Sequence, residues 1–252
     1  MWKVTFHKKN KIKDAILIEG LPGIGNVGKV AVDYLISQYE AQKIISFFSH
    51  NLPNTVFVNE NNLVELPKIE IYHKKIEGQD FLFLAGDVQP TNEKSSYQFC
   101  ETVLTVCEKY GLNHVVTLGG IGLGETKEKP KVYCTGNDQE IVEFFKKNGA
   151  NNNIYGLVGP IIGVSGLLLG LSTTRKKKAS TLLAETFSHP MYLGLKEAKE
   201  ILMVLKKAYD FKLDFKELNK EIKLLERELS GEKVESKTLE RLKKIKEINY
   251  IG

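Results

Sequence analysis

Residues 15–36 read AILIEGLPGIGNVGKVAVDYLI, and this stretch decides the fold of the chain. The apolar run at residues 15–18 is typical of a strand that is buried on both faces. A glycine-rich loop follows, and apolar residues then recur at the spacing of an amphipathic helix. Strand, glycine loop and helix in this order predict the first unit of an α/β sheet. The apolar helix positions are Val27, Val30, Ala31, Tyr34 and Leu35.

The glycine loop admits two interpretations. Gly23, Gly25 and Gly28 have the G-x-G-x-x-G spacing of a dinucleotide site, in which a helix N-terminus faces a phosphate. That fingerprint also requires a carboxylate after the second strand, but the predicted strand at residues 44–48 is followed by Ser-His-Asn. We therefore favour a structural glycine loop that lets the helix pack closely on the sheet or another chain approach. The residues of this loop are Gly20, Pro22, Gly23, Gly25 and Gly28.

Composition narrows the class of protein. The chain has 252 residues and a formal net charge of +5, with lysine and glutamate interleaved along it, which does not favour a nucleic-acid partner. Cys100, Cys107 and Cys134 lack C-x-x-C spacing and predict buried thiols in a reducing interior. The first residues contain no signal-peptide core, so we expect a cytoplasmic protein.

The most apolar stretch, residues 154–171, has the length of a membrane helix and precedes a basic run. Five glycines and Pro160 interrupt it, and a proline at its centre would break a single helix. The sequence instead predicts a buried strand at residues 154–158, a glycine loop and a short buried helix, and no membrane span.

Three predicted central strands end in glycine-bearing segments, at residues 20–28, 86–90 and 119–124. If these strands are parallel, the segments meet at one edge of the sheet, where α/β proteins place their ligands. Short hairpin strands between residues 55 and 66 indicate that the sheet is mixed. We predict an α/β fold of three layers, with a mixed, mostly parallel sheet and helices on both faces.

The last part of the chain changes character, and we divide the chain into a core at residues 1–210 and a C-terminal helical hairpin and tail at residues 211–252. Asp214 is placed to cap a new helix, whose apolar residues recur every three or four positions. Two heptads do not decide whether this seam packs within the chain or forms an oligomer contact. The seam residues are Phe215, Leu218, Ile222, Leu225 and Leu229.

The sequence contains no convincing catalytic set. It lacks H-E-x-x-H, C-x-x-C and G-K-[ST] motifs, and residues 163–167 lack the second glycine of a nucleophile elbow. Asp87 and Glu125 are carboxylates in two of the predicted edge segments, but their spacing along the chain does not place them together. We expect no enzyme activity, no catalytic residue, no metal and no cofactor.

Residues 20–29, GLPGIGNVGK, resemble the signature of the proteasome assembly chaperone family, in its archaeal single-domain form. The segments GDVQP at 86–90 and LGG at 118–120 are also similar to that family, and the resemblance covers residues from about 12 to 230. It extends to homologues of the second proteasome assembly chaperone. The resemblance implies a phosphorylase-like α/β domain with C-terminal helices. It further implies a non-enzymatic, homo-oligomeric chaperone or adaptor that binds proteasome α-ring subunits or related ATPase partners, without nucleic acid or membrane.

Several members of this family end in a hydrophobic residue, a tyrosine and any residue, and this tail inserts between proteasome α subunits. Here Tyr250 occupies the hydrophobic position, Ile251 the tyrosine position, and Gly252 supplies the terminal carboxylate. The resemblance therefore implies that these three residues contact the partner through terminal-carboxylate capture. The alternative function is a nucleotide- or nucleoside-binding protein that uses the glycine-loop edge.

Overall fold

The computed structural model describes residues 2–8, 11–189 and 192–229. The strands of this part are β1 (Lys3–Phe6), β2 (Ile16–Gly20), β3 (Gln42–Phe48), β4 (Phe57–Val58), β5 (Val64–Glu65), β6 (Ile69–Ile76), β7 (Gln79–Gly86), β8 (His114–Leu123), β9 (Val132–Gly136) and β10 (Lys178–Phe187). Eight of them form one mixed sheet in the order β1-β3-β6-β7-β2-β8-β10-β9, and β4 and β5 form a separate two-stranded ribbon.

The centre of the sheet is parallel and its flanks are antiparallel. Strand β2 pairs in parallel with β7 and with β8, and β8 pairs in parallel with β10 over ten residues. Strands β6, β3 and β1 on one side and β9 on the other side pair antiparallel. The prediction of a mixed α/β sheet is therefore confirmed.

Helices cover both faces of the sheet because successive residues of each central strand point to opposite sides. Ile16 and Ile18 of β2 belong to one apolar cluster, and Leu17 belongs to the other. The helices are α1 (Val27–Gln38), α2 (Glu93–Glu108), α3 (Gln139–Lys147), α4 (Val164–Thr174), α5 (Leu195–Tyr209) and α6 (Lys216–Leu229). The first cluster includes residues of α1, α3, α5 and α6, and the second includes residues of α2 and α4.

The prediction of a buried strand at residues 154–158 is wrong. These residues form a loop in which Tyr155 is fully exposed and Gly156 has a φ of 80°. Ile154 and Val158 pack against a small cluster on β8, β9 and β10 instead of pairing as a strand of the sheet. The outer edge of β9 is met by Asn151, which accepts from the Cys134 N–H and donates to the Val132 carbonyl. The short helix predicted after this loop is confirmed as α4. None of the described helices is long and apolar enough to cross a membrane.

The C-terminal helix begins where the sequence places it. The Asp214 Oδ1 atom accepts a hydrogen bond from the backbone N–H of Lys216 at 3.0 Å, which satisfies a free donor of the first turn. The helix then packs against α5. The division of the chain at residue 210 stays a prediction. The three cysteines are free and buried, as their spacing predicts.

Candidate functional site

The candidate site lies at the carboxyl edge of the sheet, which we define as the edge where β2, β7, β8 and β10 end. Because these strands are mutually parallel, the segments at residues 20–28, 86–90 and 119–124 come together there, as the sequence predicts. One detail differs from the prediction. Strand β8 continues to Leu123 beside β10, so Gly119, Gly120 and Gly122 belong to a strand extension and not to a loop.

The glycine loop after β2 is a point of direct backbone contact. A Cβ atom built on Gly20 would lie 2.1 Å from the Gly28 carbonyl oxygen, and one built on Gly28 would lie 2.2 Å from the Leu118 carbonyl oxygen. Real Cβ atoms do not approach backbone oxygens this closely. The backbones of β2, α1 and β8 therefore meet at this point with no room for a side chain.

The segment before α5 packs on part of the glycine loop. Residues Ile24–Asn26 form a single 3-10 turn, in which Gly25 takes a left-handed φ of 62° that favours glycine. The N–H of Gly194, at the start of α5, donates to the Gly25 carbonyl at 2.8 Å. The segment before α5 thus packs on the loop near the start of α1, where a dinucleotide site would need room for a phosphate. Gly23 is the exception, because a Cβ there would meet nothing within 4 Å.

Two polar side chains connect the glycine loop to the start of α4. Glu19 is fully buried, and its carboxyl oxygens accept hydrogen bonds from the Leu21 N–H at 3.0 Å and from the Ser165 hydroxyl at 2.9 Å. Gln89 donates from Nε2 to the Pro22 carbonyl at 2.7 Å and accepts at Oε1 from the Val164 N–H at 3.2 Å. Burial raises the pKa of Glu19 to about 7.

A cleft of about 840 Å³ opens beside these contacts. It lies between the first turn of α2, the glycine extension of β8 and the loop that precedes α4. Apolar side chains and glycine backbone form most of its wall, and Gln89 and Ser165 add polar groups. Such a surface fits an apolar segment held by a few hydrogen bonds. The rim residues that stand out into solvent are Ile24, Tyr97, Leu157 and Ile162.

Exposed apolar side chains are concentrated at the carboxyl edge. Eleven large apolar residues of the described part of the chain are exposed, and all except Phe6 belong to segments that meet at this edge. Exposed apolar side chains concentrated in one region are typical of protein-protein contacts. The ten residues are Ile24, Val56, Val58, Leu63, Val64, Leu66, Tyr97, Tyr155, Leu157 and Ile162.

The structure distributes the predicted site residues as follows. Leu218, Ile222 and Leu225 of the α6 seam are buried in the core cluster that α1 and α5 share. Phe215 is half-buried, and its ring stacks on Tyr34 with 6.0 Å between the centroids. The side chain of Leu229 lies outside the described part, as do Tyr250, Ile251 and Gly252.

No catalytic or metal constellation is found among residues 2–8, 11–189 and 192–229. No group of three or more His, Cys, Asp or Glu in this part is placed to hold a metal ion. Asp87 accepts from the Lys68 N–H at 2.9 Å and Glu125 pairs with Lys127 at 2.6 Å, so each carboxylate has its own partner. Burial raises the pKa of the Cys100 and Cys107 thiols, which keeps them protonated and unreactive.

Sequence reasoning missed the outward apolar face of the β4–β5 ribbon. Strands at residues 55–58 and 63–66 were predictable from their β-branched residues, and both exist in shortened form. The alternation shows which residues share a face, but it does not show which face points to solvent. The sequence signal that indicates this outward apolar face is the excess of valine and leucine in both strands of the short hairpin.

Residues 17–232 match the model of the PAC2 family. The chain belongs to the PAC2 family. A Methanocaldococcus jannaschii protein of unassigned function is 30% identical over 216 residues, which covers 85% of this chain and 81% of that protein. Both matches extend over most of the chain.

Solved structures of PAC2 proteins have the same fold. The Pyrococcus furiosus protein PbaB, described as an archaeal proteasome activator, superposes with a TM-score of 0.84 at 27% identity. That match covers 91% of this chain and 98% of PbaB. PbaA from the same organism, described as an archaeal homolog of proteasome-assembly chaperone, gives a TM-score of 0.75 at 22% identity over 97% and 99% of the two chains.

Proposed function

We propose that this PAC2 protein is a non-enzymatic, homo-oligomeric chaperone or adaptor that binds proteasome α-ring subunits or a related ATPase partner in the cytoplasm. The observation that carries the proposal is the concentration of exposed apolar residues at the carboxyl edge. Apolar rims around a cleft are a surface for a protein partner, and beside them backbone contacts leave no room at Gly20 and Gly28 of the glycine loop.

Similarity to PbaB gives the proposal its partner. PbaB is described as a proteasome activator, and this chain aligns with nearly all of it at 27% identity.

The C-terminal tail is the second element of the proposal. The salt bridge between Lys196 Nζ and Glu226 Oε1, at 2.5 Å, holds the last described turns of α6 beside the start of α5. The last described turns of α6 therefore lie close to the carboxyl edge.

A binding experiment with assembled proteasome α-rings tests the function. We expect the immobilised full-length chain to capture α-rings, and Ile162→Glu to weaken capture about tenfold or more, since a charge would enter an apolar rim contact. Ile162 is 84% exposed, so this substitution does not disturb the core. Phe6→Glu is the matched control, because Phe6 is also exposed but lies on the outermost strand β1, outside the segments that form the cleft and its rim.

Loss of capture by both variants, or no capture by the full-length chain, would contradict the proposal. A chain that lacks Tyr250, Ile251 and Gly252 separates the tail from the rim. We expect it to bind α-rings more weakly than the full-length chain, since it lacks the terminal residues that would enter an α-subunit pocket. Capture that is unchanged by this truncation removes the tail from the mechanism and leaves the rim as the contact.

A further inference from the structure

The β4–β5 ribbon has an inner face that is already used. Its strands pair antiparallel, with Phe57 opposite Glu65 and Val58 opposite Val64. Phe57 packs against the apolar cluster beneath it. Glu65 accepts a hydrogen bond from the Asn59 side chain at 2.7 Å. Phe57 therefore holds the ribbon on the protein and decides which side faces outward, while the Glu65 bond closes the ribbon on itself.

The outer face of the ribbon is aliphatic. Val58 and Val64 are 67% and 69% exposed, and the alternate positions Val56 and Leu66 are 52% and 57% exposed. The residues between them are less exposed, as the pleat requires. A surface ribbon normally turns polar side chains to water, whereas the outer face of this ribbon is apolar. None of the four side chains carries a charge or a hydrogen-bonding group.

The size and composition of this face fit contact with an identical face. Four aliphatic side chains exposed to this degree offer roughly 400 Å², half of the ~800 Å² that one partner gives to a stable interface. Homodimer interfaces are about 65% apolar, with a core that is depleted of charge and a polar rim. Asparagines at residues 54, 59, 61 and 62 surround the ribbon and can supply the rim. A two-fold axis would set each ribbon against the same surface of its copy.

We propose that the outer face of the β4–β5 ribbon is the contact between two copies of this chain, arranged about a two-fold axis. The inference rests on the homo-oligomeric part of the proposed function and assigns it a surface. The α6 seam is a poorer contact, because Leu218, Ile222 and Leu225 are 2%, 9% and 6% exposed within a single copy. The seam side chains would have to leave the core to reach a partner.

The solution mass of the full-length chain, measured by light scattering, tests the inference. We expect an even multiple of the chain mass, and Val64→Glu should halve it, because two like charges would be buried at the two-fold axis. Ile162→Glu is the matched control and should keep the full mass. It lies at the same edge and is equally accessible, but outside the ribbon.

A monomeric or odd-numbered full-length protein overturns the inference, and so does a mass that Val64→Glu leaves unchanged. If Val64→Glu keeps its mass but loses α-ring capture, the ribbon binds the proteasome subunit and the inference is wrong. Loss of α-ring capture by Ile162→Glu alone concerns the proposed function and not the ribbon. The two proposals therefore fail in different ways.

Cross-linking gives a second measurement that does not depend on the stability of a charged variant. The native cysteines are buried, so a cysteine introduced by Val64→Cys is the accessible thiol of the described part. A short bismaleimide should link Val64→Cys into a covalent dimer and should not link Ile162→Cys. Equal dimer yields from the two variants would overturn the assignment of the contact to the ribbon.

Discussion

At the scale of single residues, the glycine loop shows how a motif can have a packing role that its spacing does not reveal. Gly20 and Gly28 bring the backbones of β2, α1 and β8 into contact, whereas Gly23 lies in open space. The same pattern of glycines therefore contains positions of very different tolerance. The tolerance of each glycine to substitution depends on which atoms lie where an added Cβ would be placed.

Gly28→Ala and Gly23→Ala form a matched pair that measures this difference. We expect Gly28→Ala to lower the free energy of unfolding by about 3 kcal/mol or more, since the added methyl would meet the Leu118 carbonyl, which is backbone and cannot rotate away. Gly23→Ala should change it little, because its backbone is extended and its surroundings are open. Urea unfolding of both variants checks the pair, and equal stabilities would show that the contact has no energetic weight.

The buried carboxyl of Glu19 makes stability depend on pH. Burial raises its pKa from 4.5 to about 7, so between these values the folded chain binds more protons than the unfolded chain. The free energy of unfolding contributed by Glu19 therefore falls as pH rises through this window, by about 3 kcal/mol in total. Above about pH 7 this loss in the free energy of unfolding is complete.

Glu19→Gln isolates this effect. A glutamine can accept from the Leu21 N–H and donate to the Ser165 hydroxyl, and it does not ionise. We expect the variant to be more stable than the natural chain above about pH 7 and to lose less stability as pH rises from about 4 to 8. Urea unfolding across this range, with Glu125→Gln as an exposed control, measures the difference. Parallel pH curves for the natural chain and Glu19→Gln would contradict the assignment.

At the scale of elements, the C-terminal helix illustrates the limit of an apolar repeat. A seam every three or four residues predicts a buried helix face, but the repeat does not name the surface that covers it. In this chain the first turns of the seam pack into the cluster around α1 and α5. The helix thus completes one layer of the fold, and its repeat is explained within a single copy.

Leu218→Ala tests the burial of α6. We expect this substitution to lower the free energy of unfolding by about 3 kcal/mol, since Leu218 is 2% exposed and its removal leaves a cavity. Lys223→Ala on the exposed side of the same helix should change it by less than about 0.5 kcal/mol. Light scattering should give both variants the mass of the natural chain. A drop in mass for Leu218→Ala at unchanged stability would show that the seam is a contact between copies.

At the scale of the whole molecule, the parallel centre of the sheet determines where contacts can form. All four parallel strands end at one edge, and the apolar ribbon, the cleft and the rim of the cleft collect there. Elsewhere in the described part of the chain the one exposed large apolar residue is Phe6, on the outermost strand β1. The exposed apolar side chains are thus concentrated on one side of the molecule. The α-ring experiment tests the rim of the cleft on this side, and the mass experiment tests the ribbon.

Much of the fold could be predicted from the chain alone. Runs of apolar residues identified the central strands, and periodicity identified the helices, because both signals arise from local geometry. Residues 154–158 were misassigned since an apolar run does not distinguish a strand from a loop that folds over a cluster. The ribbon at residues 57–65 was found as strands, but its outward face was not.

The amino-acid sequence by itself determined the α/β class, the order of the elements and the meeting of three glycine segments at one edge, because these follow from backbone periodicity and strand direction. Only the tertiary structure decided that Gly194 covers the glycine loop, that Glu19 is buried beneath it and that four aliphatic residues face outward. Each of these depends on which distant segment lies opposite a residue. Neighbours along the chain do not specify that pairing, and the packing of the whole molecule does.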